Sequence, residues 1–253
     1  MAGFFRRIFS KLVYPDGLRC LLCDNELSRD TTSGFCPQCQ PEKVTHSCKI
    51  CGAELKNKYQ RYCNSCVYVN SEHYFDFARA PYPYSNRIAK KMVWRLKYGK
   101  KAYVAKFMAS DMSELVKTLQ WDIDFITYVP LHKKRLKKRG YNQSELLATH
   151  IGENLGLEVK STMVKNTYAK VTATKLGRAE RIKALENTFS ITEKVAGKNI
   201  LLVDDVITSK ATANECAKIL KNGKASKVYV ITYATSQGDN PGLYKNIAKL
   251  AKK

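Results

Sequence analysis

An α/β fold, a parallel sheet flanked by helices and preceded by a small cysteine-rich module, is what three observations in the sequence predict. Ile200-Leu201-Leu202-Val203 is an unbroken apolar run, as a strand buried on both faces requires. Candidate strands and helices alternate through residues 74–236, which is the pattern of a parallel sheet. Eight of the nine cysteines lie between Cys20 and Cys66.

Those eight fall as four Cys-x-x-Cys pairs, Cys20/Cys23, Cys36/Cys39, Cys48/Cys51 and Cys63/Cys66. A Cys-x-x-Cys turn aims both sulfurs at one ion, and two turns complete a tetrahedral thiolate shell. Four soft thiolates with no open position favour structural zinc, two ions in all. A disulfide scaffold is disfavoured because no export signal accompanies the cysteines, and an iron–sulfur cluster is a minor alternative. The favoured grouping is sequential, Cys20, Cys23, Cys36 and Cys39 on one ion and the other four on the second, while spacing leaves a crossed pairing open. So small a zinc-ribbon module draws part of its folding free energy from the metal.

The 253 residues suffice for one medium domain plus this module. They divide as 1–73, an N-terminal helix and a zinc-binding module of two four-cysteine sets; 74–236, the α/β domain; and 237–253, a basic tail. Within Met1–Tyr14, Phe5, Ile8, Phe9 and Leu12 share one helix face. No apolar stretch approaches the ~20 residues of a membrane span. The net charge is +3 over residues 1–73 and +19 over the remainder. Two zinc ions with eight thiolates would bring the first figure to about −1. The basic character therefore belongs to the α/β domain, which should attract phosphorylated ligands, nucleic acid or acidic lipid.

The α/β domain reads as follows. Phe75–Tyr84, aromatic and ending in Pro-Tyr-Pro, is a strand or hairpin. Ser85–Leu96 and Ala102–Leu119 have helical spacing. Ile123–Val129 is a strand ending at Pro130, and Gln143–Leu155 a helix that runs out at Gly156. Asn199–Val206 is the buried strand, Thr212–Leu220 the helix after it, and Lys227–Tyr233 a further strand. Cys216 is read as a small core residue.

The chemistry concentrates at two places. The strand around Val203 ends in Asp204 and Asp205, then a hydroxyl-rich turn, Thr208, Ser209, Lys210, Ala211 and Thr212, opens a helix. Ligands of open α/β sheets sit at that end of the strands. The helix N-terminus and hydroxyls suit a phosphate, and the two acids can accept from vicinal sugar hydroxyls. The second place is residues 128–143, which follow a strand and reach the same edge. It holds Leu131, His132 and Arg135, then Asn142. Its basic run Lys133, Lys134, Arg135, Lys137, Lys138 and Arg139 reads as a loop able to hold pyrophosphate or a longer polyanion.

These motifs resemble the ComF/ComFC family of competence-associated, type I phosphoribosyltransferase-like proteins. The match runs through Pro130, Leu131, Arg135, Arg139, Gly140, Tyr141, Asn142 and Gln143, then Leu176, Glu180 and Arg181, then the Asp-Asp motif. The chain departs from the pattern at Lys210, where the family has glycine, and at Ala173 and Ala184, where it has Gln and Asn. The resemblance implies a cytoplasmic protein, or one at the inner face of the membrane, that binds 5-phosphoribosyl-1-pyrophosphate (PRPP) with Mg²⁺. Asp204 and Asp205 would be its catalytic acids, and residues 208–212 with Leu131, His132, Arg135 and Asn142 its PRPP contacts. It also implies handling of incoming single-stranded DNA in natural transformation, beside competence-machinery proteins such as a helicase. On the residues themselves two readings stand. One is an enzyme that transfers the phosphoribosyl group to an acceptor for which no general base is evident. The other is a binding protein with single-stranded DNA on the basic surface near Lys90, Lys91, Arg95, Lys97, Lys100 and 133–139, its bases stacked on Tyr98, Tyr103 or Tyr141.

Overall fold

The computed structural model describes residues 19–27, 34–67, 73–99, 101–166 and 188–236. The helix expected over Met1–Tyr14, the tail from Gln237, Lys100 and the motif residues Ala173, Leu176, Glu180, Arg181 and Ala184 lie outside them. In chain order the elements are α1 (Asn64–Val67), β1 (Phe77–Arg79), β2 (Tyr82–Pro83), α2 (Arg87–Tyr98), α3 (Val104–Thr118), β3 (Phe125–Tyr128), α4 (Lys133–Arg139), α5 (Gln143–Leu155), β4 (Met163–Lys165), β5 (Phe189–Ile191), β6 (Asn199–Ile207), α6 (Ala211–Asn222) and β7 (Lys227–Thr235).

The main sheet is parallel, in the order β1–β7–β6–β3. β2 also pairs with β7, beyond β1, at Ala234 and Thr235. The segment Phe75–Tyr84 is therefore one interrupted edge strand and not a hairpin. Pro81 falls in the interruption, where its missing N–H removes a ladder bond.

Helices cover both faces of the sheet. Ile200, Leu201, Leu202 and Val203 are all fully buried, and they alternate between two cores. Leu201 and Val203 share one with Met92, Leu96, Met108, Met112, Leu147 and Ile151 of α2, α3 and α5. Ile200 and Leu202 share the other with Cys216, Ala217 and Leu220 of α6. Each such side chain contributes roughly 1.5–3 kcal/mol by leaving water. The cysteine segments divide the same way. Cys20, Leu21, Phe35 and Cys36 join the first core, while Cys48, Cys51, Leu55 and Cys63 join the second.

Caps set the helix ends. The Asn86 side chain accepts from Ile88 N and Ala89 N at the start of α2, and the Asn142 side chain accepts from Ser144 N at the start of α5. Helix α4 replaces the loop expected over 133–139. Lysine, arginine and leucine are good helix formers. His132 Nδ1 accepts from Lys134 N, and Gly140 closes the helix at φ 87°. Three basic residues in its last turn, Lys137, Lys138 and Arg139, suit the negative end of the dipole. The short antiparallel pair β4–β5 also went unforeseen, because three-residue strands carry no readable period.

Two glycines separate strain from contact. A Cβ on Gly52, at φ 67°, would lie 2.4 Å from Ala78 O, where the cysteine segment meets β1. A Cβ on Gly140 would meet nothing. Gly140→Ala should cost only the left-handed strain, about 1–2 kcal/mol. Gly52→Ala should cost clearly more, read as the larger fall in unfolding midpoint in a thermal or urea melt.

Candidate functional site

β3 and β6 run parallel with Tyr128 beside Val203, so their C-terminal ends open on one edge of the sheet. Asp204 and Asp205 stand there. Asp204 Oδ1 accepts from Ser144 Oγ at 2.8 Å and from Asp205 N at 2.9 Å. Asp205 is 2 % exposed and its Oδ2 lies 2.7 Å from Lys97 Nζ, at the end of α2. Burial, and then the charge of Asp205, push the Asp204 carboxyl up to about 7; Lys97 and the Ser144 hydroxyl pull the other way. Burial opposes the Lys97 charge, but the pull of Asp205 and Asp204 outweighs it and raises the lysine. Lys165 of β4 also feels Asp204. Burial foremost, with the charge of Arg135 adding, lowers its pKa.

The turn after β6 is held from the end of β7. Ser236 N donates to Ile207 O at 3.0 Å and Ser236 Oγ donates to Thr208 O at 3.1 Å. Thr208 is exposed, and Ser209 and Thr212 are half-buried. Lys210 caps α6 at φ 65° with no side-chain cap bond. A left-handed conformation costs a non-glycine residue about 1–2 kcal/mol, which explains the glycine expected at this position. The first N–H groups of a helix have no partner within it, which is what a phosphate requires.

Several expected site residues sit elsewhere in function. The Lys210 ammonium does not face the phosphate turn. It is buried against Cys66 Sγ at 3.3 Å and Cys63 Sγ at 3.8 Å, and it donates to Ser65 Oγ. Asn142 is 5 % exposed and uses its whole side chain on the fold, capping α5 and donating to Val129 O at 3.1 Å. His132 serves as the α4 cap. Lys97, expected on a nucleic-acid surface, is the partner of Asp205, and the Tyr141 hydroxyl donates to Leu96 O at 2.7 Å. Leu131 is half-buried, Ala211 is buried at the start of α6, and Arg135 with Lys133, Lys134, Lys137 and Lys138 is exposed. Arg139 is bonded to Gln143 and stands 5.6 Å over the Tyr98 ring. Sequence reasoning missed Lys97, Ser144 and Lys165 at the acids. Each meets Asp204 or Asp205 only through the tertiary fold.

The cysteines form two centres. Sulfurs of Cys20, Cys23, Cys36 and Cys39 lie within 4.8 Å of one another, as do those of Cys48, Cys51, Cys63 and Cys66. The pairing is sequential. Neighbouring sulfurs stand 3.7 Å apart at Cys23/Cys36 and 3.5 Å at Cys51/Cys63, far beyond a disulfide. A tetrahedral ion with bonds of ~2.3 Å needs sulfurs about 3.8 Å apart, so both sets fit zinc.

No family model matches the chain. Among curated proteins it is 27 % identical over 221 residues to Competence protein F of Haemophilus influenzae, covering 84 % of this chain and 94 % of that one. It is 29 % identical over 239 residues to Competence protein ComFC of Bacillus subtilis, covering 87 % and 95 %. The DNA utilization protein YhgH of Escherichia coli is 29 % identical over 218 residues, covering 83 % and 87 %. At 27–29 % identity over most of its length, the chain is similar to the ComF/ComFC family. Similar solved structures include the allosteric regulatory enzyme of purine biosynthesis, with TM-score 0.37 and 23 % identity over 51 % of this chain and 26 % of that one. Another is a purine phosphoribosyltransferase of Pyrococcus horikoshii, with TM-score 0.35 and 12 % identity over 56 % and 86 %. No helix among the described residues is long and apolar enough to cross a membrane.

The Asp204 shift has a sign that can be checked. Its carboxyl is raised to about 7 in the fold, above the ~3.9 of an unfolded aspartate. The proton it holds stabilises the fold fully below the unfolded value, and that contribution is lost as pH rises through about 7. Relative to Asp204→Asn, the native chain should therefore be more stable at about pH 5 than at about pH 8, by unfolding in urea at both.

Proposed function

We propose that the chain binds Mg²⁺-PRPP at the end of β6 and acts on single-stranded DNA in the competence role named for its relatives. The observation that carries this reading is the Asp204–Asp205 pair followed by a left-handed turn and a helix N-terminus, at the edge where β3 also ends. The ribose hydroxyls donate to the two acids. The 5′-phosphate accepts from the N–H groups of α6 and from Thr208, Ser209 and Thr212. The pyrophosphate lies towards Leu131, Arg135 and Lys165, of which Lys165 feels both Asp204 and Arg135. Mg²⁺ bound with the PRPP would neutralise the charge of its pyrophosphate. Departure of pyrophosphate leaves positive charge on the ribose carbon, which the carboxylates favour. Lys97 pairs with Asp205 and holds its carboxylate in place before the sugar arrives.

A hydrogen bond to a charged acid is worth roughly 1.5–3 kcal/mol. Asp204→Asn and Asp205→Asn should each weaken Mg²⁺-PRPP binding by about 10- to 100-fold in calorimetric titration. Lys97→Met should weaken it as well, by removing the partner that orients Asp205. Absence of any binding by the native chain would overturn the reading. Pyrophosphate release that depends on both acids would make the protein a phosphoribosyltransferase, and binding without release makes it a PRPP-dependent accessory protein.

A specific surface supports the nucleic-acid part. Trp94 and Tyr98 stand one turn apart on α2, 58 % and 65 % exposed, and their rings are 6.3 Å apart. Arg139 lies on Tyr98, and the exposed lysines of α4 continue the face. Tyr103 is also exposed, at 42 %. Stacking supplies about 1–3 kcal/mol per base and phosphates supply the salt dependence. Trp94→Ala should weaken single-strand binding at every salt concentration. Neutralising Lys133, Lys134, Lys137 and Lys138 together should flatten the dependence of affinity on salt. Binding that hardly changes with salt in the native chain would rule out a phosphate-tracking surface.

A further inference from the structure

We propose that Lys210 is a positioning residue that ties the phosphate turn to the second cysteine centre, so that metal held by Cys48, Cys51, Cys63 and Cys66 sets the shape of residues 208–212. The proposal rests on the reading of that turn as the phosphate-binding one. Lys210 is 8 % exposed, and its ammonium has sulfur at 3.3 Å and 3.8 Å and the Ser65 hydroxyl as partners. All three partners lie on α1 or just before it. The backbone of the same residue is the left-handed step between β6 and α6. One residue thus shapes the turn with its main chain and grips the cysteine centre with its side chain.

The surroundings give this grip leverage. Four thiolates around a divalent ion leave two negative charges, and a buried anion needs nearby cations. Arg79 donates to Cys48 O at 3.4 Å and to Lys49 O at 3.0 Å on one side of the centre, and Lys210 stands on the other. Helix α6 is fastened to the segment following the centre as well. Tyr74 N donates to the Asn214 side chain at 2.8 Å, and Lys218 lies 5.6 Å over the Tyr74 ring. The thiolates are gathered as an anion only when an ion holds them. With the ion gone, a buried ammonium loses its reason to stay. A left-handed conformation costs a side-chain-bearing residue about 1–2 kcal/mol, so without the grip the turn relaxes. Where a glycine would shape the turn by itself, this chain makes that shape depend on the metal.

The test uses the full chain loaded with zinc, as native protein, Lys210→Met and Lys210→Gly. Zinc transfer to an excess of a chelating dye reads the grip directly. Both variants should release one of the two metal equivalents faster, by about tenfold, as fits the loss of a buried counter-charge, with the other equivalent unchanged. Mg²⁺-PRPP titration reads the coupling. Lys210→Met should bind several-fold more weakly than Lys210→Gly. Stripping the labile metal should weaken PRPP binding by the native chain and leave that of Lys210→Gly unmoved. Equal release rates in all three proteins, or an equal loss of PRPP affinity on stripping native and Lys210→Gly, would overturn the proposal. If Mg²⁺-PRPP binds no form, the reading of the turn fails and the coupling with it, while faster release would still place Lys210 on the metal centre.

Discussion

Two carboxylates at the end of a strand buried on both faces pose an electrostatic problem. Like charges side by side in a poorly solvated place take up protons, and Asp204 does so up to about 7. The ammonium of Lys97, 2.7 Å from Asp205, gives the other acid its counter-charge. That one contact sets the position of much else. Lys97 reaches the acids only if α2 ends beside β6. Its end is held there by Tyr141, whose hydroxyl bonds the Leu96 carbonyl, and by Arg139, which covers Tyr98. Helix α5 is drawn to the same point through Ser144 on Asp204. Segments distant in sequence thus converge on two residues.

The distribution of cations follows the same logic. In a chain of net charge +22 most lysines are interchangeable and solvated. Three are not. Lys97 serves the acids, Lys165 faces them from β4 with its charge opposed by burial, and Lys210 serves the sulfurs. Taking these from the solvent-facing set leaves α4 and the outer face of α2 as the basic surface. Helix formation over 133–139 matters for that surface. A loop would scatter its charges. A helix capped by His132 and closed by Gly140 arrays them at fixed spacing, beside the exposed rings of Trp94 and Tyr98.

What could be read from the sequence was what local pattern encodes. Strand β6 was legible because four consecutive apolar residues admit few alternatives, and α2, α3 and α5 because their buried residues recur at helical intervals. The metal ligands were legible from Cys-x-x-Cys spacing and the sequential grouping was the favoured one, but spacing constrains pairs and not which pairs share an ion, so only the fold decided it. The acids were legible as a strand-end motif. Their partners were not, because Lys97 and Ser144 meet them across the fold and nothing in Arg-Leu-Lys-Tyr or Gln-Ser-Glu marks a contact. Helix α4 was hidden because a polybasic run is helical only once capped, and its cap is a histidine, an uncommon choice.

Lys210 shows how a local departure can mislead when it is read locally. Beside a phosphate turn, a lysine in a glycine's place invites the view that its charge meets the phosphate. The side chain instead reaches Cys63, Ser65 and Cys66. There its ammonium stands among sulfurs that carry negative charge when metal-bound. The strain of φ 65° and the buried ammonium are therefore complementary features. The first is sustained by the second, and the second is sustained by the cysteine centre. The same residue that breaks the expected motif joins the two halves of the chain that the sequence presents as separate.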